Sequence, residues 1–296
     1  MDTHIKALQL YFVALLTLLY GTPLLCSCQG TPPAISFDSA EAIDSVLLAP
    51  SHPSESPKCK ASFHVVYLSD TSEQHEHAQA IEAINSYIAH TLLGCNETNT
   101  ISDIANDALR QQIAEFSGEL RNLYFDDLRN FREFVEGDEE ATDSSDVRRY
   151  IIENYSYTYD ISSEAHLGYA DSIVCYTLTT TQYAGGAHPM QTARTLSVSL
   201  NDGHVIIPQD VFKSGTDSEL IKRITMRLMK DNNVTTEAEL IELGYLTTDI
   251  SIPTNMLLDR EHVVFHFNPY DIAPYSVGSI DVRFTYHELR DILNMY

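Results

Sequence analysis

The chain of 296 residues predicts an α+β fold, an antiparallel sheet with helices packed on one side. Three observations predict it. Several segments alternate apolar and polar residues with the two-residue period of a strand, and others repeat apolar residues at helical spacing. No regular alternation of strands and helices runs long enough for a doubly wound parallel sheet. With 44% hydrophobic residues, the chain can bury a core.

The N-terminus predicts a lipoprotein signal peptide over residues 1–27. An apolar run from Ala7 to Tyr20 is too short for a membrane span and fits a secretory signal. It leads to Leu25-Cys26-Ser27-Cys28, which resembles the bacterial lipobox. We therefore expect Cys28 to be the lipidated first residue of the mature protein. The alternative is an ordinary signal peptide with two bystander cysteines.

Lipidation at Cys28 predicts an extracytoplasmic protein anchored to a membrane of the cell envelope. Gln29, not Asp, follows the cysteine, which in a diderm host resembles outer-membrane sorting. Residues 28–58 are rich in proline and serine and predict a tether, with a brief helical turn over Ala40 to Leu48. Folded structure is expected from Cys59 onwards.

Residues 59–184 predict an N-terminal region of strands and helices. Residues 147–161 carry tyrosines at a two-residue period, so one strand face would be lined with tyrosine. That face is either an ordinary sheet face at the solvent boundary or a platform for sugars or peptides. The predicted elements are strands over 61–68, 147–161 and 173–183, and helices over 72–93 and 100–135, with Gly118 as a candidate break.

Residues 185–296 predict a C-terminal region that continues the same globular unit. Asn201-Asp202-Gly203 is a hairpin turn signal, and Thr216 with Glu219 fits a helix N-cap. The predicted elements are strands over 192–200, 204–207, 256–258, 262–267 and 279–285, and helices over 216–232, 235–243 and 286–295.

Charge and motifs exclude several classes of function. The formal charge of −24 disfavours nucleic acid as a partner and would steer a cationic one. No Cys-x-x-Cys, phosphate-loop or dinucleotide motif is present, and no metal site or cofactor is predicted. After Cys28, the cysteines are Cys59, Cys95 and Cys175. They allow at most one internal disulfide, with Cys59 and Cys95 the favoured pair and Cys175 a buried thiol.

The loop Tyr183-Ala184-Gly185-Gly186-Ala187-His188-Pro189 is the candidate functional site. Two glycines permit backbone angles that side chains forbid, and Pro189 biases His188 towards an extended conformation. The loop should present His188 at one end of the sheet, where Tyr270 and Tyr275 could join it. The candidate ligand-binding residues are Tyr183, Gly185, Gly186, His188, Tyr270 and Tyr275.

Four features in one order carry a family resemblance. They are the Tyr183 to Pro189 loop, the Asn201-Asp202-Gly203 turn leading to Pro208 to Phe212, a helical middle, and Tyr270-Asp271-Ile272-Ala273-Pro274-Tyr275 with Gly278 and a terminal helix at Glu288-Leu289. Together they resemble the bacterial envelope family known as domain of unknown function 3298, with its upstream partner 4163. Related domains occur in a lysozyme-sensing anti-sigma factor, RsiV, and a peptidoglycan deacetylase, PdaC.

The resemblance implies an α+β fold and a binding role without catalytic residues in the domain itself. The chain lacks deacetylase motifs and the membrane helix of an anti-sigma factor. The expected function is therefore a non-catalytic binding module for a glycan, peptidoglycan or a cationic lysozyme-like protein. One alternative is a hydrolase of cell-wall glycan with His188 as general base, which would need a carboxylate such as Asp202, Asp210 or Asp271. Another is a structural envelope subunit.

Overall fold

A computed structural model of the chain describes residues 35–51, 53–71, 77–92, 100–135, 149, 152–153, 155–247 and 250–294. These residues belong to one compact unit. The predicted signal peptide, the predicted lipidation site Cys28, and Cys95 lie outside the described residues.

A six-stranded sheet forms the larger layer, and its strands lie side by side in chain order. All neighbouring pairs are antiparallel except β2 and β3, which are parallel. A parallel pair needs a long crossover, and the segment between β2 and β3 supplies it with helices. The strands are β1 Ile35–Leu47, β2 Lys58–Asp70, β3 Thr158–Leu167, β4 Ile173–Tyr183, β5 Met190–Ser199 and β6 Val205–Ile206.

A second, three-stranded antiparallel sheet follows in the C-terminal region, in the order β7, β8, β9. Its strands are β7 Met256–Leu258, β8 His262–Phe267 and β9 Ile280–Thr285. Ser197 of β5 joins the two sheets, because its Oγ accepts a hydrogen bond of 2.8 Å from Leu258 N and donates one of 3.3 Å to the Met256 carbonyl. The predicted ranges of β4, β7 and β8 are confirmed.

The α-helices whose full bounds lie in the described chain pack against these sheets. They are α1 Ala78–Tyr87, which continues into a π-helical turn at Ile88–Leu92, α2 Ile101–Val135, α3 Pro208–Val211, α4 Asp217–Asp231, α5 Glu237–Glu242 and α6 Tyr286–Leu289. Within the residues described, no helix combines the length and apolar character needed to cross a membrane. The α+β class predicted from the sequence is confirmed.

The hydrophobic interior has two main parts. The first lies between the large sheet and the helices α1 and α2, where Val65, Ile84 and Tyr176 are almost wholly buried. The second lies around the small sheet, where Phe265 packs with Leu220 of α4 and other apolar residues of the C-terminal helices. Apolar residues at helical spacing on α4 therefore meet the alternating apolar face of β8.

The predicted tether is wrong over its second half. Ile35–Leu47 form the edge strand β1, which pairs with β2 from Ile35 opposite Asp70 to Leu47 opposite Lys58. The helical turn expected at Ala40 to Leu48 is absent from this strand. Small and polar residues in β1 gave little strand signal of their own, and pairing with β2 determines the conformation.

The predicted strand over 147–161 is also displaced. Residues 149, 152–153 and 155 are helical, and β3 begins only at Thr158. The tyrosines do not form an open platform. Tyr157 and Tyr159 each place their ring about edge-on to Phe116 of α2, at centroid distances of 6.0 Å. The tyrosine face therefore packs against a helix, and tyrosine spacing alone did not reveal that partner.

Three smaller expectations change as well. Helix α2 runs through Gly118 without a break. Thr216 precedes α4 but makes no capping hydrogen bond, since its hydroxyl donates instead to the Lys213 carbonyl at 2.6 Å. The closing helix is short, because α6 ends at Leu289 rather than continuing to 295.

Two cysteines lie in the described chain. Cys59 and Cys175 are both buried and both free thiols. The expected buried thiol at Cys175 is confirmed, and Cys59 carries no disulfide in the structure. Burial raises the pKa of both thiols, that of Cys175 to about 12.

Candidate functional site

The loop between β4 and β5 has the tight backbone that its glycines predict. Gly185 and Gly186 have φ angles of 81° and 92°, in the left-handed region that favours glycine. A Cβ built on Gly186 would meet no atom within 4 Å, so the backbone angle, not lack of space, calls for glycine there. The Tyr183 hydroxyl donates a 3.0 Å hydrogen bond to the Gly186 carbonyl and braces the loop.

His188 is exposed and stacks on Tyr275. The two ring centroids are 3.8 Å apart and the planes differ by 12°. The Tyr275 hydroxyl donates a 2.6 Å hydrogen bond to the Pro189 carbonyl, and His188 Nδ1 lies 3.3 Å from the same oxygen. The loop and the connector before β9 are therefore held together at this end of the fold.

Tyr270 extends the ring contact outward. Its ring centroid lies 5.8 Å from that of Tyr275, and 56% of the residue is exposed. Its backbone has a φ of 74°, and its N–H donates to the Ala273 carbonyl at 3.1 Å, which closes a tight turn. We refer to His188, Tyr270 and Tyr275 as the aromatic cluster. The other three candidate residues from the sequence, Tyr183, Gly185 and Gly186, belong to the loop that carries His188, so all six lie in this one region.

A polar cleft of about 410 Å³ is lined by residues that neighbour the aromatic cluster along the chain. Asn268 is two residues before Tyr270 along the chain, and Thr192 is four residues after His188. The cleft is lined by Leu178, Thr180, Thr192, Ala193, Arg194, Thr254, Asn255 and Asn268. Sequence reasoning missed these residues, because they come from four separate segments that only the fold brings together.

Two asparagines shape the wall of the cleft. Asn268 accepts a 2.6 Å hydrogen bond from Ala193 N and returns one of 3.0 Å to the Ala193 carbonyl. Asn255 likewise accepts from Thr195 N at 3.1 Å and donates to the Ala193 carbonyl at 3.1 Å. Along β5 these amides take the place of strand pairing, and each donates one hydrogen bond and accepts one within the protein.

The threonine hydroxyls of the cleft are available to a ligand. Those of Thr180, Thr192 and Thr254 form no hydrogen bond with any residue that the structure describes. A hydroxyl can both donate and accept, so three of them around one cleft suit a ligand that is itself rich in hydroxyls.

The geometry gives no support for His188 as a general base. Among the described residues, no carboxylate contacts its ring. Asp210 instead accepts hydrogen bonds from Ile207 N and from His204 Nε2, and these lower its pKa. Asp202 accepts from His204 N at 3.1 Å, and Asp271 accepts from Asn268 N at 2.7 Å. Each carboxylate suggested by the sequence therefore accepts a hydrogen bond from a nearby backbone N–H and stabilises a turn.

Metal-binding groups do not gather at this site. Across the chain as far as the structure describes it, no three His, Cys, Asp or Glu side chains are placed to hold a metal ion.

Comparison with known families identifies part of the chain. Residues 209–287 match the family described as protein of unknown function DUF3298. This segment is therefore similar to a DUF3298 domain. It contains Tyr270 and Tyr275 but begins after the loop that carries His188, so the aromatic cluster joins the matched segment to the preceding hairpin. The upstream partner family 4163 and the kinship with lysozyme-sensing proteins stay predictions.

Solved structures share the fold over most of the chain. A crystal structure of a DUF3298 family member from Bacteroides fragilis NCTC 9343 is 23% identical with a TM-score of 0.73, covering 88% of this chain and 94% of that one. A DUF3298 family protein from Pseudomonas aeruginosa PAO1 is 12% identical with a TM-score of 0.53, covering 88% and 95%. At these identities the likeness concerns the fold alone. No curated protein matches the chain.

Proposed function

We propose that the chain is a non-catalytic, lipid-anchored binding module of the cell envelope that recognises a peptidoglycan-type glycan. The observations that carry the proposal are the exposed aromatic cluster and a polar cleft lined by residues close to it in sequence. Exposed rings offer a face on which a pyranose can stack, while the hydroxyl side chains of the cleft can bond to the hydroxyl groups of a glycan.

The shape of the site supports a small saccharide. A cleft of about 410 Å³ falls within the usual range for small-ligand sites. The stacked pair of His188 and Tyr275 is fixed by the hydrogen bond to Pro189, so little side-chain freedom is lost when a ligand binds. The lipid anchor at Cys28 rests on the sequence pattern at the N-terminus and would hold the domain at a membrane face.

A second candidate ligand is a cationic, lysozyme-like protein. The net charge of −24 favours it, because such a surface steers positively charged partners and speeds their association. Tyr270 of the aromatic cluster is 56% exposed, and tyrosine is a type of residue that often anchors an interface.

A calorimetric titration separates the two candidates. The full chain is titrated with muropeptide disaccharide fragments and, separately, with lysozyme at low and raised salt. His188→Ala is the test variant. His262→Ala is the matched control, because His262 lies at the start of β8, away from the loop, and makes no side-chain hydrogen bond among the described residues.

Fragment binding that is lost in His188→Ala and kept in His262→Ala supports the glycan module. Lysozyme binding that weakens with salt supports the second candidate, since exposed charges are screened by salt. If neither ligand binds the unaltered chain, both proposals fail.

A further inference from the structure

A cleft between α4 and the segment after β9 gathers positive charge in an otherwise acidic chain. The cleft has a volume of about 480 Å³. Four of the 18 Lys and Arg residues of the chain line it, although the chain as a whole carries a net charge of −24. These four residues are Arg223, Arg227, Lys230 and Arg290.

Helical spacing places three of these cations together. Arg223, Arg227 and Lys230 lie at positions i, i+4 and i+7 of α4, which share one face of a helix. Met226 lies on the same face, and 48% of it is exposed. Phe284 of β9 forms the floor, with the Arg227 guanidinium 4.8 Å above its ring centroid.

Two of the four cations, Arg223 and Arg227, already form ion pairs with carboxylates and line one side of the cleft. Arg223 binds both carboxylate oxygens of Asp291, at 2.7 and 2.9 Å, and also bonds to Glu219 at 2.9 Å. Arg227 bonds to Glu288 at 2.5 Å. Hydrogen bonds from Arg223 lower the pKa of Asp291 to about 2, so this carboxylate stays ionised and keeps Arg223 in place.

The other two cations are uncommitted. Lys230 and Arg290 are exposed, and neither forms an ion pair with a carboxylate among the residues described. Among the described residues, Arg290 forms its side-chain hydrogen bond with Nε2 of His287, which also lines the cleft. The four cations of the cleft outnumber its two carboxylates, Glu288 and Asp291, so the cleft keeps an uncompensated positive charge that an anionic ligand would neutralise.

We propose that this cleft binds a phosphate monoester whose organic part is apolar. A phosphate monoester carries about two negative charges at neutral pH, matching the two uncommitted cations. Its oxygens can accept charge-assisted hydrogen bonds from Lys230 and Arg290. The organic part of the ligand would contact Met226, an exposed apolar residue of the cleft.

The proposed anion site is separate from the aromatic cluster. Tyr275 lies before β9, whereas the anion cleft is lined by residues of α4, by Phe284 and by residues of the segment 287–291, and none of them belongs to the aromatic cluster. The inference therefore does not depend on the glycan proposal, and either one can fail alone.

The test is a calorimetric titration of the full chain with phenyl phosphate at constant ionic strength. Benzyl alcohol serves as the neutral probe of similar size. Lys230→Gln and Arg290→Gln each remove one uncommitted cation. Lys222→Gln is the matched control, because Lys222 is an exposed cation on the same helix that does not line the cleft.

The expected result is saturable phenyl phosphate binding that weakens roughly tenfold in Lys230→Gln and in Arg290→Gln, the usual effect of losing a charge-assisted hydrogen bond. Lys222→Gln should bind as the unaltered chain does. Equal weakening in Lys222→Gln, or no saturable binding, overturns the proposal, because only the overall charge would then matter. Thermal unfolding of each variant checks that it is folded.

Vesicles then identify the source of the phosphate. Phosphatidic acid vesicles display a phosphate monoester on a lipid, and phosphatidylcholine vesicles are the control. Sedimentation with the former that is lost in Lys230→Gln indicates a lipid headgroup. Phenyl phosphate binding without vesicle binding indicates a soluble phosphate ester. Both results keep the phosphate at this cleft.

Discussion

The imidazole of His188 lies on the phenol ring of Tyr275, with centroids 3.8 Å apart and planes 12° from parallel. The contact connects the β4–β5 loop to the connector before β9, two segments that are distant in sequence. The hydrogen bond from the Tyr275 hydroxyl to the Pro189 carbonyl closes the same junction. The ring of Tyr275 therefore stacks on His188, while its hydroxyl group binds the loop backbone, and the two roles can be tested separately.

Two substitutions at Tyr275 separate the role of the ring from that of the hydroxyl group. Tyr275→Phe keeps the ring and removes the hydrogen bond, so it should lower the free energy of unfolding by about 1 kcal/mol and weaken glycan binding only slightly. Tyr275→Ala removes the stacking partner of His188 as well and should abolish most of the binding. Urea unfolding and calorimetry measure the two effects. Equal loss of binding in both variants would show that the hydroxyl, not the ring, determines recognition.

A second prediction concerns pH. Asp281 Oδ1 accepts a 2.8 Å hydrogen bond from Nδ1 of His266, whose side chain is 12% exposed, and Oδ2 accepts one of 2.8 Å from Arg283. The hydrogen bond from His266 is the larger of the two effects, and together these contacts lower the pKa of Asp281 below its ordinary value of 3.8. A lowered carboxyl pKa stabilises the fold above the ordinary pKa, and the benefit is lost as pH falls through the lowered value.

Asp281→Asn should therefore lower the free energy of unfolding by about 1 kcal/mol at neutral pH, a modest figure because Asp281 is partly exposed. The difference between variant and unaltered chain should shrink as the pH falls below 3.8. Urea unfolding at neutral pH and at low pH measures it. Asp171→Asn is the control, since Asp171 pairs with Arg260 at an exposed position and should matter little at either pH. A difference that is constant with pH would contradict the assignment.

Local sequence patterns were sufficient to predict several strands of the fold. Strands β4, β7 and β8 have clear alternation or β-branched residues next to turn signals, and the structure has them at the predicted bounds. The position of the aromatic cluster also followed from local features, because the loop and the connector each end a strand. The polar cleft could not be predicted from local features, because Thr180, Thr192 and Thr254 come together only through tertiary packing.

Strand β1 shows why the remainder was missed. Its residues between Ser36 and Ser45 are mostly small or acidic and have weak strand preference. Their partner β2 lies across a proline-rich turn, and only the pairing of the two strands specifies the conformation. The prolines that suggested a tether belong in part to that turn.

The third prediction tests β1 by truncation. A fragment of residues 59–296 lacks β1 and exposes the edge of β2, whereas a fragment of 35–296 keeps both. Loss of the buried side chains of Ile35 and Leu48 alone should cost about 4 kcal/mol. The shorter fragment should also associate through its exposed edge. Urea unfolding and size-exclusion chromatography compare the two, and equal stability would show that β1 is dispensable.

The fourth prediction concerns the two buried thiols. Burial raises the pKa of Cys59 and that of Cys175, the latter to about 12. Because the thiolate is the reactive form, neither should be alkylated by iodoacetamide in the folded chain at mildly alkaline pH. Both should react in urea. Peptide mapping by mass spectrometry reports each site, and a disulfide-linked peptide containing Cys59 would contradict its assignment as a free thiol.

Two glycines should respond to alanine in opposite directions. Gly118 lies inside α2, and a Cβ there would meet no atom within 4 Å. Gly118→Ala should therefore raise the free energy of unfolding by roughly 1 kcal/mol, since alanine favours the helix and loses less backbone entropy. At Gly168, a Cβ would lie 2.2 Å from the Leu258 carbonyl oxygen and 2.7 Å from Cys175 Sγ.

Relief of that overlap at Gly168 would have to separate β7 from the start of β4, where Cys175 Sγ also bonds to the Leu258 carbonyl at 3.3 Å. Gly168→Ala should therefore lower the free energy of unfolding by about 2 kcal/mol, the typical cost of overpacking a core. Urea unfolding of both variants, side by side with the unaltered chain, measures the two changes. If Gly168→Ala were as stable as the unaltered chain, the close approach between the two sheets at Leu258 would be wrong.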